Sequence, residues 1–373
     1  RIPPSADEVA TLREKLRTTP LYGKNLVADD FRGAAINIFF QNVSDAQYLD
    51  LGIDRRIMDI LGGAGGPERF FYTGAAHVKQ SAVELMRRDL VRFTPIALVL
   101  VLLVLWFSFR TVRGVVLPVL SVSVALVCTL GVMVLAGKSI TLGTSILPPL
   151  LLVIGSSYAI HVMARYYEQV TAGAPRDELV VRAFQRVWLP LSISALTTLI
   201  GFGSLLVNRI TAIWDLGLFA VVGVVFLTLT SLTLLPAALQ LLPAELRSDR
   251  SGRISPWLAD NLTRLGLRTY AFRRPILWTA LALGVVGLGA TWFVHVDSDF
   301  LYYFDENSDV RRANEAINHE IVGSNPFYIV IDGRRPGLLR RWEVLKEVKA
   351  LQEFLLTLPG ITSSLSLVDY LEL

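Results

Sequence analysis

The chain has 373 residues, of which 53% are hydrophobic and 18% are charged, and its mean hydropathy is +0.50. The hydrophobic fraction is above that of average soluble proteins, and the charged fraction is below it. The formal net charge is +4, and no basic patch interleaved with aromatic residues indicates a nucleic-acid partner. Only 13 charged side chains occur among the 152 residues from Arg92 to Pro243, whereas the other 221 residues carry 55. The composition therefore predicts a membrane-spanning centre and soluble flanks.

Six uncharged segments are about long enough to cross the roughly 30 Å hydrocarbon core of a bilayer as helices. These segments are residues 93–109, 114–137, 139–164, 187–208, 216–244 and 275–294. Because buried helices of soluble proteins rarely stay apolar on every face over such lengths, the sequence predicts six transmembrane helices.

The arginines and lysines of the short loops predict the orientation. One set of loops carries thirteen arginines, seven of them between Arg247 and Arg274, whereas the opposite set carries only Lys138 and Arg209. Since positively charged loops stay in the cytoplasm, the first set is predicted to be cytoplasmic. Six crossings then place both ends of the chain on the outer side.

The predicted organisation has five parts, which differ in charge and hydropathy. They are an outer segment 1–91, five membrane helices in 92–244, a cytoplasmic linker 245–274, a sixth membrane helix in 275–295 and a second outer segment 296–373. The linker contains the amphipathic run "WLADNLTRLGLRTYAF", which suits a helix lying on the inner membrane surface.

The outer segments alternate strand-like and helix-like patterns. The runs "GAAINIFFQ" (33–41), "RFFYTGAA" (69–76) and "PFYIVIDG" (326–333) are typical of strands, and residues 44–61 and 338–357 of helices. Such β-α-β pieces predict ferredoxin-like α+β subdomains. A long helix is predicted from about His77 into the first span, with Pro95 as a candidate kink, which would couple the outer domain to the membrane.

Several membrane helices resemble, in the same order, those of the resistance–nodulation–division (RND) superfamily. The similar stretches are "GSSYAIHVMARYYE" (155–168), "LPLSISALTTLIGFGSLL" (189–206), "DLGLFAVVGVVFLTLTSLTLLPAALQ" (215–240) and the flanks 74–98 and 296–318. The branch that the chain resembles most is that of the Patched-like and mycobacterial-membrane-protein-large (MMPL) lipid exporters.

The resemblance implies a membrane α-helical fold that is half of a twelve-helix exporter. Residues 92–244 would be family helices two to six, a unit also found in sterol-sensing domains, and 275–295 would be helix seven. The flanks would belong to two extracytoplasmic porter domains. Relatives sit in the inner membrane and use the proton gradient to move lipid-like molecules toward the periplasm. The resemblance also implies homo-oligomers and periplasmic partner proteins.

Polar residues in the third predicted span are the candidates for proton coupling. Proton-coupled relatives typically carry an Asp directly before Tyr158, where this chain has Ser157. Because a serine does not titrate near neutral pH, His161, one turn later on the same face, is the remaining titratable relay candidate. The candidate relay set is Ser156, Ser157, Tyr158, His161, Thr197 and Thr198.

A packing interpretation of the same residues stays open. The serines and threonines can let helices approach closely and can bond their own backbone, and His161 can lie at a helix interface. Asp215, at the start of the fifth span, is predicted to be solvated. Pro148 and Pro149 are predicted to break or kink the third span.

The substrate path is predicted beside the first span. Val83 and Met86 lie on one face of the helix that leads to Pro95, and this face would guide a lipid from the bilayer to the outer domains.

Two other functions stay open from the sequence: a sterol-sensing-type regulator that binds lipid without transport, and a protein-translocation accessory. An enzyme is not expected, because the sequence has no metal-ligand cluster, phosphate loop or nucleophile with His and acid. No cofactor is predicted, and the single Cys128 is expected to be a small core residue.

Overall fold

The chain forms two units, which are described separately. The computed structural model describes residues 6–18, 27–28, 30, 32–38, 45–64, 68–242, 256–295, 301, 304–320, 327–332, 334 and 337–372. The first unit combines residues 1–82 with 298–373, and the second unit comprises residues 83–297.

The described residues are predominantly helical. In chain order the helices are α1 (Ala6–Thr18), α2 (Asp45–Leu51), α3 (Ile53–Gly63), α4 (Ala75–Phe109), α5 (Val112–Leu135), α6 (Leu147–Thr171), α7 (Arg176–Gly203), α8 (Thr211–Leu229), α9 (Leu235–Leu241), α10 (Pro256–Ala271), α11 (Arg273–Ala290), α12 (Asp309–Glu320), α13 (Trp342–Leu356) and α14 (Leu367–Leu371). A π-helical turn, Thr230–Leu234, joins α8 to α9.

Six helical segments are long and apolar enough to cross a membrane, which confirms the predicted number of spans. They are Ala75–Phe109, Val112–Leu135, Thr144–Thr171, Asp177–Val207, Thr211–Leu241 and Arg273–Phe293. The first of them is one helix that begins two residues before His77 and continues through Pro95, as predicted.

The predicted break in the third span is wrong. Pro148 and Pro149 stand in the first turn of α6 rather than in its middle. There the missing N–H groups cost nothing, because the first N–H groups of a helix have no intrahelical acceptor. Instead, α6 extends to Thr171, beyond the predicted end, through charged residues that pair with one another.

Close contacts at glycines hold the centre of the second unit together. A Cβ atom added at Gly155 of α6 would lie 2.4 Å from Leu227 Cδ2 and 2.8 Å from Val122 Cγ2. A Cβ atom added at Gly223 of α8 would lie 2.6 Å from Leu151 Cδ2. Glycine lets the helices approach closely, which is how membrane helices pack without a hydrophobic driving force. Helices α5, α6 and α8 therefore form the core, with α7 packed on α6 and α8.

The end of α4 joins this core, whereas α11 does not. Leu105 is fully buried, and the ring centroid of Phe109 lies 5.6 Å from that of Tyr167 in α6. In contrast, α11 has no buried side chain among the described residues. Its apolar surface is therefore suited to contact with lipid or with further helices.

The strand-like runs of the first unit form no ladder among the described residues. Residues 35–38, 68–74 and 327–332 have irregular backbone, and an isolated antiparallel bridge joins Val27 to Ala34. Extended runs need partner strands to satisfy their N–H and C=O groups. The predicted ferredoxin-like subdomains are therefore not seen in the described part of the chain, and residues 39–41, 326 and 333 lie outside it.

The predicted helices of the first unit are present with breaks. Gly52, with a left-handed φ of 58°, separates α2 from α3 within the predicted helix 44–61. Left-handed backbone is the conformation that glycine adopts most easily. Near the end of the chain, the Ser366 side chain and the Asp369 carboxylate form a capping box that starts α14.

Candidate functional site

The third span, α6, carries the predicted relay residues on different faces. Ser156 is buried, and its hydroxyl donates a hydrogen bond to the Val153 carbonyl at 2.8 Å. Tyr158 is also buried, and its hydroxyl has no hydrogen-bond partner among the described residues. Ser157 and His161, one turn apart, are both exposed on the surface of the bundle.

The predicted threonines bond to their own helix. Thr197 and Thr198 each donate to the Ser194 carbonyl at 2.8 Å. Hydroxyls bonded in this way need no partner on a neighbouring helix. These bonds favour the packing interpretation for both threonines and for Ser156, whereas a relay role of His161 stays a prediction.

The exposed face of α6 carries a titratable group at membrane depth. His161 has no hydrogen bond or ion pair among the described residues, and Ser157 lies four residues before it on this face. Polar groups at this depth are costly when they face lipid, and they usually face a bundle interior or a water path. The face is therefore suited to contact with other polar groups or water.

At the other end of the spans, an ion pair joins the loop after α5 to the first turns of α8. Lys138 follows α5, and its Nζ lies 2.9 Å from Asp215 Oδ1 and donates a hydrogen bond to Asp215 Oδ2 at 3.3 Å. The Asp215 side chain is only 7% exposed, whereas that of Lys138 is 39% exposed. The prediction that Asp215 is solvated is therefore wrong, because Lys138 neutralises its charge inside the protein.

Backbone packing surrounds this pair. A Cβ atom added at Gly143 would lie 2.8 Å from the Ala212 carbonyl oxygen, so the loop after α5 lies directly on the start of α8. Lys138 Nζ also lies 5.9 Å from the centre of the Trp214 ring. An ammonium at that distance from an aromatic face is favourable.

An ion-pair network lies at the other end of α6. Glu168 accepts a hydrogen bond from Arg165 at 2.7 Å and another from Arg186 of α7 at 3.2 Å. All three side chains are about half exposed. Their arrangement ties α6 to α7 where the helices leave the apolar region, and exposed pairs of this kind contribute little stability.

The first unit contains a separate cluster of titratable side chains. His77 Nδ1 lies 2.9 Å from both carboxylate oxygens of Asp54. The hydroxyl of Tyr48 lies 3.0 Å from that of Tyr72 and donates to Asp54 at 3.3 Å. Tyr72 also contacts the His77 ring, with 4.5 Å between centroids. The cluster therefore fixes the first turn of α4 to α2 and α3.

Burial changes the acidity of the two tyrosines. The pKa of Tyr72 is raised well above its ordinary value, first by burial, then by its hydrogen bond with Tyr48 and by the charge of Asp54. Burial also raises the pKa of Tyr48. Both phenols therefore stay protonated to a higher pH than a fully exposed tyrosine does.

The predicted substrate-path residues lie along α4. Val83 and Pro95 are exposed, and Met86 is half-buried. Because α4 also exposes Val99, Leu100 and Leu103 further along, it presents an apolar surface over several turns. This surface is suited to contact with lipid chains.

Comparison with known proteins identifies the family. A family model described as the MMPL family matches residues 44–266. This match begins before α4 and ends within α10, so it covers five of the six membrane-spanning segments. The chain belongs to the MMPL family. The resemblance to the lipid-exporter branch of the RND superfamily is thereby confirmed.

Individual relatives are similar over different parts of this MMPL-family chain. The putative membrane protein MJ1562 of Methanocaldococcus jannaschii is 30% identical over 165 residues, 44% of this chain and 42% of that protein. The hopanoid transporter HpnN of Burkholderia multivorans is 28% identical over 57% of this chain and 24% of its own length. The probable transport protein MmpL9 of Mycobacterium tuberculosis is 23% identical over 88% of this chain and 35% of its own length.

These matches cover between about a quarter and about two fifths of the relatives. The chain therefore spans less than half the length of each of these relatives.

Sequence reasoning missed one polar contact of the site. The Lys138–Asp215 pair joins residues 77 positions apart. The sequence did contain a signal for this pair. Lys138 and Asp215 are isolated charges at the ends of long uncharged runs, and both lie on the same predicted side of the membrane. Opposite charges in that position are expected to pair when the helix ends meet.

No metal site stands out. In the part of the chain that the structure describes, no group of three or more His, Cys, Asp or Glu side chains could hold a metal ion.

Proposed function

We propose that the chain is part of an RND-type exporter that moves a lipid-like substrate from the inner membrane toward the periplasm. The observation that carries the proposal is the MMPL family match over residues 44–266. Two relatives with similar sequences are named as transporters, one of them of hopanoids. Six apolar helical segments with a polar group exposed at membrane depth agree with such a function.

The proposal includes the arrangement of the whole transporter. A second six-helix repeat would cover the face of Ser157 and His161, so that these polar groups lie between bundles rather than in lipid. Ferredoxin-like porter subdomains would form around the outer segments and provide partner strands for residues 35–38 and 327–332. Homo-oligomers and periplasmic partner proteins would complete the export route.

The proton gradient would drive transport through His161. Imidazole gains and loses a proton near neutral pH, which the hydroxyl of Ser157 does not. The exposed position of His161 supports this role, since a relay group needs access to water or to a partner that changes state.

The substrate would enter beside α4. Its exposed apolar surface, which includes Val83 and extends past Pro95, supports this route. The route is tested with the full-length protein in donor vesicles made from the total lipid extract of the source cells, by mass spectrometry of lipids that reach acceptor vesicles.

In this assay, Val83→Trp and Met86→Trp are expected to lower lipid transfer several-fold at unchanged protein level. Leu283→Trp is the matched control, because Leu283 is an exposed apolar residue of α11. Normal transfer by both α4 variants would place the route elsewhere. Absence of transfer by the unmodified protein would favour a sterol-sensing-type lipid-binding function instead.

A further inference from the structure

Three residues that are almost fully buried inside the membrane bundle carry a hydroxyl group with no hydrogen-bond partner among the described residues. Ser121 in α5, Tyr158 in α6 and Ser231 in the π-helical turn are 1%, 4% and 0% exposed. None of their side-chain oxygens has a hydrogen-bond partner among the residues that the structure describes. In hydrocarbon no solvent satisfies such groups, so each of them calls for a partner of another kind.

The contact at Gly155 gives the common depth of these hydroxyls. There α6 touches Leu227 of α8 and Val122 of α5, as the short distances to an added Cβ atom show. Helices α6 and α8 cross the bundle in the same direction, and α5 crosses it in the opposite direction. Residues that follow Gly155 in α6 and Leu227 in α8 therefore lie at the same depth as residues that precede Val122 in α5.

The three hydroxyl residues lie on that same side of the contact. Tyr158 is three residues after Gly155, Ser231 is four residues after Leu227, and Ser121 directly precedes Val122. At about 1.5 Å per residue, all three are within about 6 Å of the contact along the bundle. Helix α5 and the π-helical turn also pack against each other, as do α6 and that turn.

The π-helical turn adds a backbone acceptor to this region. Pro236 follows it in the first turn of α9 and has no N–H, so a carbonyl about one turn earlier lacks its usual helical donor. Turns of this type are rare, and they occur frequently at functional sites. The residues that carry the three hydroxyls and this carbonyl therefore lie at a similar depth of the bundle core.

We propose that Ser121, Tyr158 and Ser231 line an internal water site at the π-helical turn. The groups are neutral donors and acceptors, which match water rather than a charged ligand, and a buried water typically makes about three hydrogen bonds. The bound water would join α5, α6 and the turn between α8 and α9. The water site does not depend on the substrate or on the driving force of transport. The water-site proposal can therefore be wrong while the proposed function is right, and the proposed function can be wrong while the water-site proposal is right.

The test is thermal unfolding of the full-length protein in lipid nanodiscs. Ser231→Ala and Tyr158→Phe remove only a hydroxyl. If water bridges the two groups, each variant leaves the water and the other hydroxyl with fewer partners, and each lowers Tm by roughly 1–3 °C. The double variant then loses less than the sum of the single losses, since both changes remove the same water.

Ser156→Ala is the matched control, because the Ser156 hydroxyl is buried in the same helix but is already bonded to the Val153 carbonyl. A shift of less than half that of either variant is expected for it. If Ser231→Ala or Tyr158→Phe leaves Tm unchanged or raises it, the hydroxyls are dry and the proposal is wrong. Additive losses in the double variant would equally overturn a shared water site.

Discussion

The Lys138–Asp215 pair illustrates how individual residues set the stability of the bundle. Asp215 is almost fully buried, and Lys138 is its only cation among the described residues. Removing one partner of a buried pair leaves an uncompensated charge, whereas replacing both by apolar residues of similar volume is often neutral or stabilising.

We therefore expect Asp215→Asn to lower the free energy of unfolding by about 1–3 kcal/mol. The loss stays in this range because the partly exposed Lys138 can reach water. The double variant Lys138→Met/Asp215→Leu should regain most of the loss, as measured by thermal unfolding in detergent. A double variant that is as unstable as the single one would show that the pair does more than neutralise charge.

The two tyrosines of the first unit predict a pH dependence. Their folded pKa values are raised, mainly by burial, above the ordinary value near 10. Their stabilising contribution is thus fully present below pH 10 and is lost as the pH rises through the folded pKa, because only the unfolded chain releases these protons there.

In a spectrophotometric titration of tyrosinate absorbance, a late alkaline phase should therefore appear and should shrink in Tyr72→Phe. Tyr328→Phe, which removes an exposed tyrosine, should leave this late phase intact. A single titration phase near pH 10 in the unmodified protein would contradict the described burial.

At the level of helices, small residues decide how closely the spans approach. A Cβ atom added at Gly217 of α8 would lie 2.8 Å from Leu205 Cβ and 3.0 Å from the Phe202 carbonyl oxygen. These atoms are backbone or close to it, so they cannot rotate away. Gly131 of α5, by contrast, has nothing within 4 Å of the added atom.

Gly217→Ala should therefore destabilise the protein by about 1–3 kcal/mol through overpacking. Gly131→Ala should be neutral or stabilising by up to about 1 kcal/mol, because alanine has the higher helix propensity. Thermal unfolding of both variants in the same detergent checks the pair. Equal effects at the two positions would mean that α8 does not pack on this region as described.

Some features of these helices could be predicted from the sequence, and others could not. The number of spans and the long α4 follow from apolar length, which is a strong and local signal. The position of Pro148 was misjudged because an uncharged run includes loop residues that hydropathy does not separate from helix. The burial of Asp215 could not be read locally, since it depends on Lys138, 77 positions away.

For the molecule as a whole, the orientation in the membrane remains a prediction from loop charges. Thirteen arginines against two positive residues on the other side predict a cytoplasmic linker between α9 and α11. In a Cys128→Ala background, Ser251→Cys should resist membrane-impermeant maleimide added to intact cells, and Ser308→Cys should react. Labelling of Ser251→Cys from outside would reverse the proposed orientation.

The proposed proton-driven lipid export can be measured as lipid transfer from reconstituted vesicles under an imposed pH gradient. We expect an acidic outer face to raise transfer by the full-length protein several-fold, and a protonophore or His161→Gln to remove the increase. Thr198→Val, which loses a hydroxyl bonded to the Ser194 carbonyl of its own helix, should keep this increase. Transfer that ignores the gradient, or a His161→Gln variant that responds as the unmodified protein does, would contradict the account.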